Sequence, residues 1–226
     1  LDCALWDLEA KRTGLPVAER LGLAATTPLV TAYTLSLGSP ETMHDAARTA
    51  SERPLLKVKL GGEGDPERIA AVRAGAPASR LIVDANEAWR ATTLRANLAA
   101  CEAAGVELIE QPLPAGDDEA LDGVATSIAI CADESLHTVA DLEALRRRYS
   151  AINIKLDKAG GLTEALALAA EGKRLGFRLM VGCMVGTSLA MAPAAILARV
   201  ADFVDLDGPL LLARDRVPGL TYVGSL

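Results

Sequence analysis

Short apolar runs recur along the chain at a nearly regular interval. Most are rich in Val, Ile and Leu and are almost continuous rather than alternating, which is typical of parallel strands covered on both faces. The eight runs are Val30–Leu37, Leu55–Leu60, Arg80–Asp84, Val106–Glu110, Ile128–Ala132, Ala151–Leu156, Arg178–Gly182 and Phe203–Leu206.

Helical segments are predicted between these runs. Asp65, followed by Pro66, has the sequence of an N-cap, and Thr163 is predicted to cap a helix that runs to Leu175. Eight strands that alternate with helices predict an α/β fold, a TIM-type (β/α)7β parallel barrel. An open doubly wound sheet is the alternative, but it usually carries a Gly-rich phosphate loop after its first strand, and this sequence has none.

Composition narrows the function classes. The chain has 226 residues, half of them hydrophobic, and a formal net charge of -7 without any basic block, so nucleic acid is excluded as an expected partner. No apolar run reaches the roughly 18 residues of a membrane span, so no membrane partner is expected. The four cysteines form no CxxC pair, which favours a reduced, cytoplasmic setting.

Ionisable residues stand where the predicted strands end, 22 to 26 residues apart from Lys59 onward. In parallel barrels the carboxyl ends of the strands meet at one face, where active sites lie. A single strand-end charge is usually solvated or caps the next helix, but a repeated set predicts one shared pocket. The set comprises Lys57, Lys59, Asp84, Glu110, Asp133 and Lys155.

Three of these residues, Asp84, Glu110 and Asp133, form a set of hard oxygen ligands on neighbouring strands. Such a set selects Mg²⁺, with Mn²⁺ also possible, over zinc. The two histidines, His44 and His137, are expected at the surface rather than at the metal.

The lysines are predicted to face each other across this pocket, since Lys59 ends the second strand and Lys155 the sixth. A lysine close to a metal ion and a second cation is expected to have a lowered pKa and to act as a general base. Two bases on opposite faces of one carbon would permit racemisation or epimerisation. The structural alternative is that Lys57 and Lys59 only form salt bridges to Asp84 or Glu110.

Five ordered motifs add a family resemblance: KVK at 57–59, VDANEAW at 83–89, IEQPL at 109–113, ADES at 132–135 and NIKLDKAGG at 153–161. Together they resemble the enolase superfamily, in particular its muconate-lactonising subgroup. The resemblance implies α-proton abstraction through an enediolate, with Mg²⁺ on the three carboxylates and Lys59 and Lys155 as the acid and base. It also implies that Lys57 stabilises the intermediate and that Asn86 and Glu134 support the ligands.

Asp205 and Asp207 resemble the eighth-strand DxD motif of dipeptide epimerases, which holds the ammonium group of the dipeptide. Cys183 and Met184, in VGCMVGTSLAMAPA at 181–194, are predicted to contact the substrate in the same group. Gly186 stands where some members carry Glu, and its glycine-rich loop could alternatively hold a phosphate at a helix start.

The resemblance also predicts a domain division: residues 1–24 as a helical lead-in from an N-terminal α+β capping domain that is mostly absent, 25–215 as the catalytic barrel, and 216–226 as a segment returning toward the capping domain. A dipeptide substrate and a homo-oligomer are expected. Muconate cycloisomerisation, o-succinylbenzoate synthesis and a catalytically inactive barrel that serves as a binding module remain alternatives.

Overall fold

A computed structural model describes residues 1–23 and 28–224 and contains one curled sheet of eight parallel strands. The strands follow one another in sequence order without a reversal, which excludes the doubly wound alternative. They are β1 (Tyr33–Leu35), β2 (Leu55–Lys59), β3 (Arg80–Asp84), β4 (Val106–Glu110), β5 (Ala129–Ala132), β6 (Ala151–Lys155), β7 (Arg178–Gly182) and β8 (Phe203–Val204).

Helices alternate with the strands, as the sequence pattern predicts. They are α1 (Asp2–Thr13), α2 (Val17–Arg20), α3 (Pro40–Thr49), α4 (Asp65–Gly75), α5 (Ala91–Ala103), α6 (Leu142–Leu145), α7 (Leu156–Ala159), α8 (Leu162–Arg174) and α9 (Ser188–Leu197). The first two precede β1, and α1 packs against α8. Between β4 and β5 the chain forms only a one-turn 3-10 helix, Glu119–Leu121, in place of an α-helix.

The first and last strands are shorter than predicted, because the two ends of the sheet meet through few hydrogen bonds. The amide of Ala32 donates to the carbonyl of Val204 at 2.8 Å, and the amide of Leu206 donates to the Thr31 hydroxyl at 2.8 Å. The amide of Thr34 donates to Asp207 Oδ2 at 2.7 Å. Side chains therefore complete a junction that a backbone ladder makes elsewhere.

Apolar side chains form two layers, one on each side of the strands. The outer layer packs between sheet and helices and includes Leu94, Leu98 and Cys101, which lie on the buried face of α5. The inner layer fills the middle of the curled sheet with Ala32, Leu55, Ile82, Leu108, Ala129, Cys131, Ala151, Met180 and Phe203. This layer forms the floor on which the polar strand ends stand.

Both predicted N-caps are wrong in detail. Helix α8 begins after Gly161, and Thr163 lies in its first turn, where its amide donates to Asp2 Oδ2 at 3.0 Å and its hydroxyl donates to Asp2 Oδ1 at 2.6 Å. The Asp2 carboxylate of α1 thus accepts hydrogen bonds from the first turn of α8. Asp65 is the first residue of α4, which Gly64 precedes as N-cap. A local sequence pattern could not reveal these partners, because they come from elsewhere in the fold.

Asp65 instead organises the loop that follows β2. Its fully buried carboxylate accepts hydrogen bonds from the amides of Gly61 at 3.1 Å and Gly62 at 2.8 Å. It also accepts hydrogen bonds from Arg68 Nη1 and Trp89 Nε1, both at 2.8 Å. Four donors from three segments therefore depend on one side chain.

The predicted boundary between lead-in and barrel, at residues 24 and 25, lies outside the described residues, as do the last two residues of the predicted C-terminal segment. Within the described ranges, no helix is long and apolar enough to cross a membrane.

Replacing Asp65 with Ala should lower the free energy of unfolding by about 3 kcal/mol, because several buried donors lose their acceptor. Urea denaturation measures this change. Asp7→Ala is the matched control: Asp7 is exposed and forms a surface ion pair with Lys11 at 2.6 Å, so its loss should cost less than about 0.5 kcal/mol. Equal losses in the two variants would contradict the role assigned to Asp65.

Candidate active site

The polar residues at the strand ends continue the inward-facing side of each strand. Side chains alternate along a strand, so Lys57 and Lys59 share the face of Leu55, and Asp84 shares the face of Ile82. The strand register places Lys59 beside Asp84 and Asp84 beside Glu110. The inward row therefore changes from apolar to charged toward the carboxyl ends of the strands.

A cavity of about 350 Å³ opens at this end of the sheet. Ten of the twelve site residues predicted from the sequence line it: Lys57, Lys59, Asn86, Asp133, Glu134, Lys155, Cys183, Met184, Asp205 and Asp207. The other two, Asp84 and Glu110, lie fully buried below and contact Lys57. The predicted convergence of the strand ends is thus present in the fold.

Lys57 is the centre of this charge cluster. Its Nζ lies 2.7 Å from Asp205 Oδ2, 2.7 Å from Glu110 Oε2 and 3.1 Å from Asp84 Oδ2. Burial alone would lower the pKa of Lys57, but the three carboxylates outweigh it and hold the pKa well above its ordinary value. Lys57 is therefore a fixed positive charge.

Lys59 lies higher in the cavity and retains about a third of its side-chain exposure. Its Nζ donates to Asp84 Oδ2 at 2.7 Å and to Asn86 Oδ1 at 2.9 Å. Asn86 Nδ2 in turn donates to Glu134 Oε1 at 3.4 Å. Lys59 therefore forms the salt bridge to Asp84 that the structural alternative predicts, and it also lines the cavity.

Lys155 approaches from the opposite side, where its Nζ lies 2.6 Å from Asp133 Oδ2. Burial lowers the pKa of Lys155, but Asp133 and Glu110 more than compensate, so the pKa lies above its ordinary value. The predicted lowering concerns Lys59 and Lys155 beside a bound metal ion, so it stays a prediction for the metal-bound site. In the present arrangement the carboxylates of Asp84 and Asp133 are direct partners of the two ammonium groups.

The sequence interpretation missed Lys158, although it belongs to the NIKLDKAGG motif. Its Nζ lies 2.5 Å from both Asp133 Oδ1 and the Asp133 carbonyl oxygen. Each oxygen of this carboxylate thus has its own lysine. Burial would raise the pKa of Asp133, but Lys158 and Lys155 hold it far below its ordinary value. Lys158 lies after the strand end, on the short helix α7, so a pattern of strand-end charges does not identify it.

Asn153 is a second residue that the strand-end charge pattern does not identify, although it lies two residues before Lys155 on the same inward face. Its Nδ2 donates to Glu110 Oε1 at 2.7 Å, and both side chains are fully buried. Gly182 on the neighbouring strand leaves room for this amide, because a Cβ there would lie 2.7 Å from Asn153 Oδ1. The amide orients one oxygen of Glu110.

The residues present fit a divalent cation by donor chemistry. Burial, together with the nearby charge of Asp84, raises the pKa of Glu110 to about 8 although Lys57 lies 2.7 Å from its Oε2, so a further positive charge beside this carboxylate would stabilise its ionised form. Among the described residues, no three acidic, imidazole or thiol side chains already surround one point as ligands, and Lys57 lies between Asp84 and Glu110. Asp84, Glu110 and Asp133 would provide the oxygen ligands that Mg²⁺ prefers.

Asp205 and Asp207 occupy different environments on the far side of the cavity. Asp205 Oδ2 pairs with Lys57, while the buried Oδ1 has no hydrogen-bond partner among the residues that the structure describes. The Asp207 carboxylate accepts a hydrogen bond from the Thr34 amide. Burial, together with the charge of Asp205, raises the pKa of Asp207. An acceptor without a partner beside a second carboxylate can accept a cationic donor from a ligand.

The loop after β7 does not favour the phosphate alternative. Asp215 Oδ1 accepts the amide of Ser188 at 2.9 Å, so a carboxylate already occupies the N-terminus of α9. Gly186 packs tightly against Gly208, where a Cβ would lie 3.2 Å from the Gly186 amide nitrogen. Burial raises the pKa of the Cys183 thiol to about 12, so it contacts the cavity as a neutral group.

The histidines lie apart from the lining of this cavity. His137 is exposed, as expected, whereas His44 is half-buried within α3. Neither changes the expected oxygen ligand set.

Comparison with known proteins identifies close relatives of the whole fold. The chain is 51% identical to an N-acetyl-D-glutamate racemase of a Pseudoalteromonas species and 48% identical to the L-Ala-D/L-Glu epimerase of Escherichia coli K12. Each match covers 98% of this chain and 70% of the relative. The predicted enzyme class, an isomerase acting on amino acid derivatives, is confirmed by these relatives.

A solved structure shows the same architecture. It is an enolase family member from Agrobacterium tumefaciens with homology to dipeptide epimerases, with bound sodium and L-Ala-L-Glu. Its TM-score is 0.97 and its identity 56%, over 99% of this chain and 69% of that one. The family model described as Enolase C-terminal domain-like matches residues 41–211. The chain therefore belongs to the enolase C-terminal domain-like family, as its five strand-end motifs predict.

Proposed function

We propose that this chain carries the proton-transfer site of a metal-dependent dipeptide epimerase. One observation carries the proposal: Lys59 from β2 and Lys155 from β6 line the same cavity, with carboxylates from the strands between them. In an eight-stranded ring these two strands lie on opposite sides. A substrate carbon held between the two lysine nitrogens could lose its proton to the neutral amine of one lysine and receive a proton from the ammonium group of the other.

Asp84, Glu110 and Asp133 would hold the cation, which we propose is Mg²⁺. When bound, the cation supplies positive charge that offsets the negative charge growing on the substrate carboxylate as the α-proton leaves. The similar Agrobacterium structure holds sodium together with a dipeptide, which supports a cation at such a site. Lys57 adds a second, permanent positive charge beside the same ligands.

The two lysines begin the reaction in different protonation states. The base must be neutral, while its counterpart must be protonated, so the pair exchanges roles when the reaction runs in the other direction. Their ion pairs with Asp84 and Asp133 hold each Nζ at the cavity wall. Epimerisation therefore needs both lysines, whereas exchange of one epimer needs only one.

Asp205 and Asp207 support a dipeptide as the substrate. The acceptor of Asp205 that lacks a partner, next to Asp207, fits an ammonium group at the N-terminal end of the substrate. N-acylamino acid racemisation is the second candidate, because the Pseudoalteromonas relative has that activity in its name. An N-acetyl group carries no positive charge, so it would leave this pair of carboxylates without a counter-ion.

The first prediction concerns the two bases. Lys59→Ala and Lys155→Ala should each reduce epimerisation of L-Ala-L-Glu at least 1000-fold, since each removes one of two required proton carriers. Each variant should also lose α-deuterium exchange for one epimer while retaining some for the other, as measured by NMR in D₂O. Lys173→Ala, on the exposed side of α8, should behave like the wild type. Exchange of both epimers at wild-type rates in both variants would disprove the assignment.

A second prediction concerns the cation and pH. Glu110 with a pKa of about 8 is protonated below that pH, and a cation must displace the proton, so Mg²⁺ affinity should rise from pH 6 to pH 8 and level off above. Calorimetric titration measures this rise. Glu110→Gln should weaken binding at least 100-fold and flatten the pH dependence. Glu107→Gln, an outward residue of the same strand paired with Arg80, should change neither.

A third prediction separates the two substrate classes. Asp205→Asn and Asp207→Asn should each lower kcat/KM for L-Ala-L-Glu at least 100-fold, because the substrate ammonium loses a charged acceptor. Steady-state rates on L-Ala-L-Glu and on N-acetyl-L-glutamate, measured in parallel, decide between the candidates. Faster turnover of the N-acetyl compound by the wild type, with little effect of either substitution, would favour the racemase.

A further inference from the structure

Gln111 directly follows Glu110, and its side chain makes several hydrogen bonds. Its side chain is fully buried. Oε1 accepts the amides of Asp133 at 2.9 Å and Ser135 at 3.1 Å. Nε2 donates to the Leu113 carbonyl at 2.9 Å. One carboxamide therefore joins the end of β4 to the turn that follows β5.

The main chain at Gln111 is also constrained. Its φ of 35° lies in the left-handed region, which residues other than glycine rarely adopt. Its amide donates to the Cys131 carbonyl, and its own carbonyl accepts the amide of Glu87, both at 2.9 Å. Such a conformation persists only where surrounding contacts determine it, and it is concentrated at functional sites.

A buried polar network supports the carboxamide from behind. Gln111 Nε2 also donates to the Tyr149 hydroxyl at 3.0 Å, and that hydroxyl donates to Asp118 Oδ2 at 2.6 Å. Arg148 forms an ion pair with the other oxygen of Asp118. The amide nitrogen and oxygen of Gln111 are thus assigned by their partners, since a flipped amide would lose both sets of bonds.

The turn that Gln111 holds carries two residues of the proposed active site, Asp133 and Glu134. The Asp133 carboxylate is drawn by Lys155 and Lys158 at once. The hydrogen bonds from the Asp133 and Ser135 amides to Gln111 Oε1 hold the backbone of this turn independently of these charges. The Gln111 carboxamide is neutral and buried, and it follows Glu110 directly in the sequence.

We infer that Gln111 is a positioning residue that sets the spacing between Glu110 and Asp133, and thereby the cation affinity of the site. This inference rests on the proposed function, because the cation is part of that proposal. It assigns the residue an effect on binding beyond its contribution to stability.

The test compares Gln111→Asn with Tyr149→Phe. Asn keeps a neutral amide and tolerates a positive φ, so this variant should fold, but it is one methylene too short to reach both amides. Tyr149→Phe removes a hydroxyl from the same network and leaves the Asp133 and Ser135 amides bonded. Gln111→Met, neutral and of matched length, serves as a second variant. Thermal unfolding confirms that each protein is folded at the temperature of the binding measurement.

The readout is the dissociation constant of Mn²⁺, measured by electron paramagnetic resonance without substrate, with kcat and KM for L-Ala-L-Glu measured separately. Gln111→Asn should weaken Mn²⁺ binding at least tenfold, whereas Tyr149→Phe should change it less than threefold even if it unfolds at a lower temperature. Wild-type affinity in Gln111→Asn, or an equal loss in Tyr149→Phe, would overturn the positioning role alone. A wild-type protein that neither binds Mn²⁺ nor exchanges α-protons would overturn the proposed function itself.

Discussion

The Lys57 ammonium group allows three carboxylates to share the interior of the candidate active site. Asp84, Glu110 and Asp205 belong to three different strands or their ends, and each directs a carboxylate into a region closed to water. Several negative charges in such a region would repel one another and lose hydration without replacement. Lys57 contacts all three carboxylates. It therefore links the end of β8 to β3 and β4 and offsets part of the negative charge that they bring together.

Local rules account for much of the fold and the site. Near-continuous apolar runs identify every strand, because a strand buried on both faces leaves this pattern in the sequence. The period-two alternation then explains why Lys57 and Lys59 both point inward, and the parallel register explains why Lys59, Asp84 and Glu110 become neighbours. Regular strand spacing therefore predicts which charged side chains become neighbours in the fold.

Residues whose partners come from distant segments are beyond such rules. Lys158 lies on a helix after the strand end, and Gln111 and Asn153 are neutral, so no charge pattern distinguishes them. The N-caps fail for the same reason: Asp65 collects donors from an adjacent loop and from Trp89, while Thr163 depends on Asp2. Strand ends are predictable from local sequence, whereas the groups that hold them are determined by tertiary packing.

Asp207 belongs both to the cavity wall and to the junction between the first and last strands, where its carboxylate accepts the Thr34 amide. A side chain that both lines the cavity and joins the two ends of the sheet tolerates few substitutions. Any replacement that suits a different ligand would also release a backbone amide at the least extensively bonded edge of the sheet. New ligand preferences are therefore more accessible through Met184 or Leu211, exposed residues of the same cavity, than through the carboxylate that also helps to close the sheet.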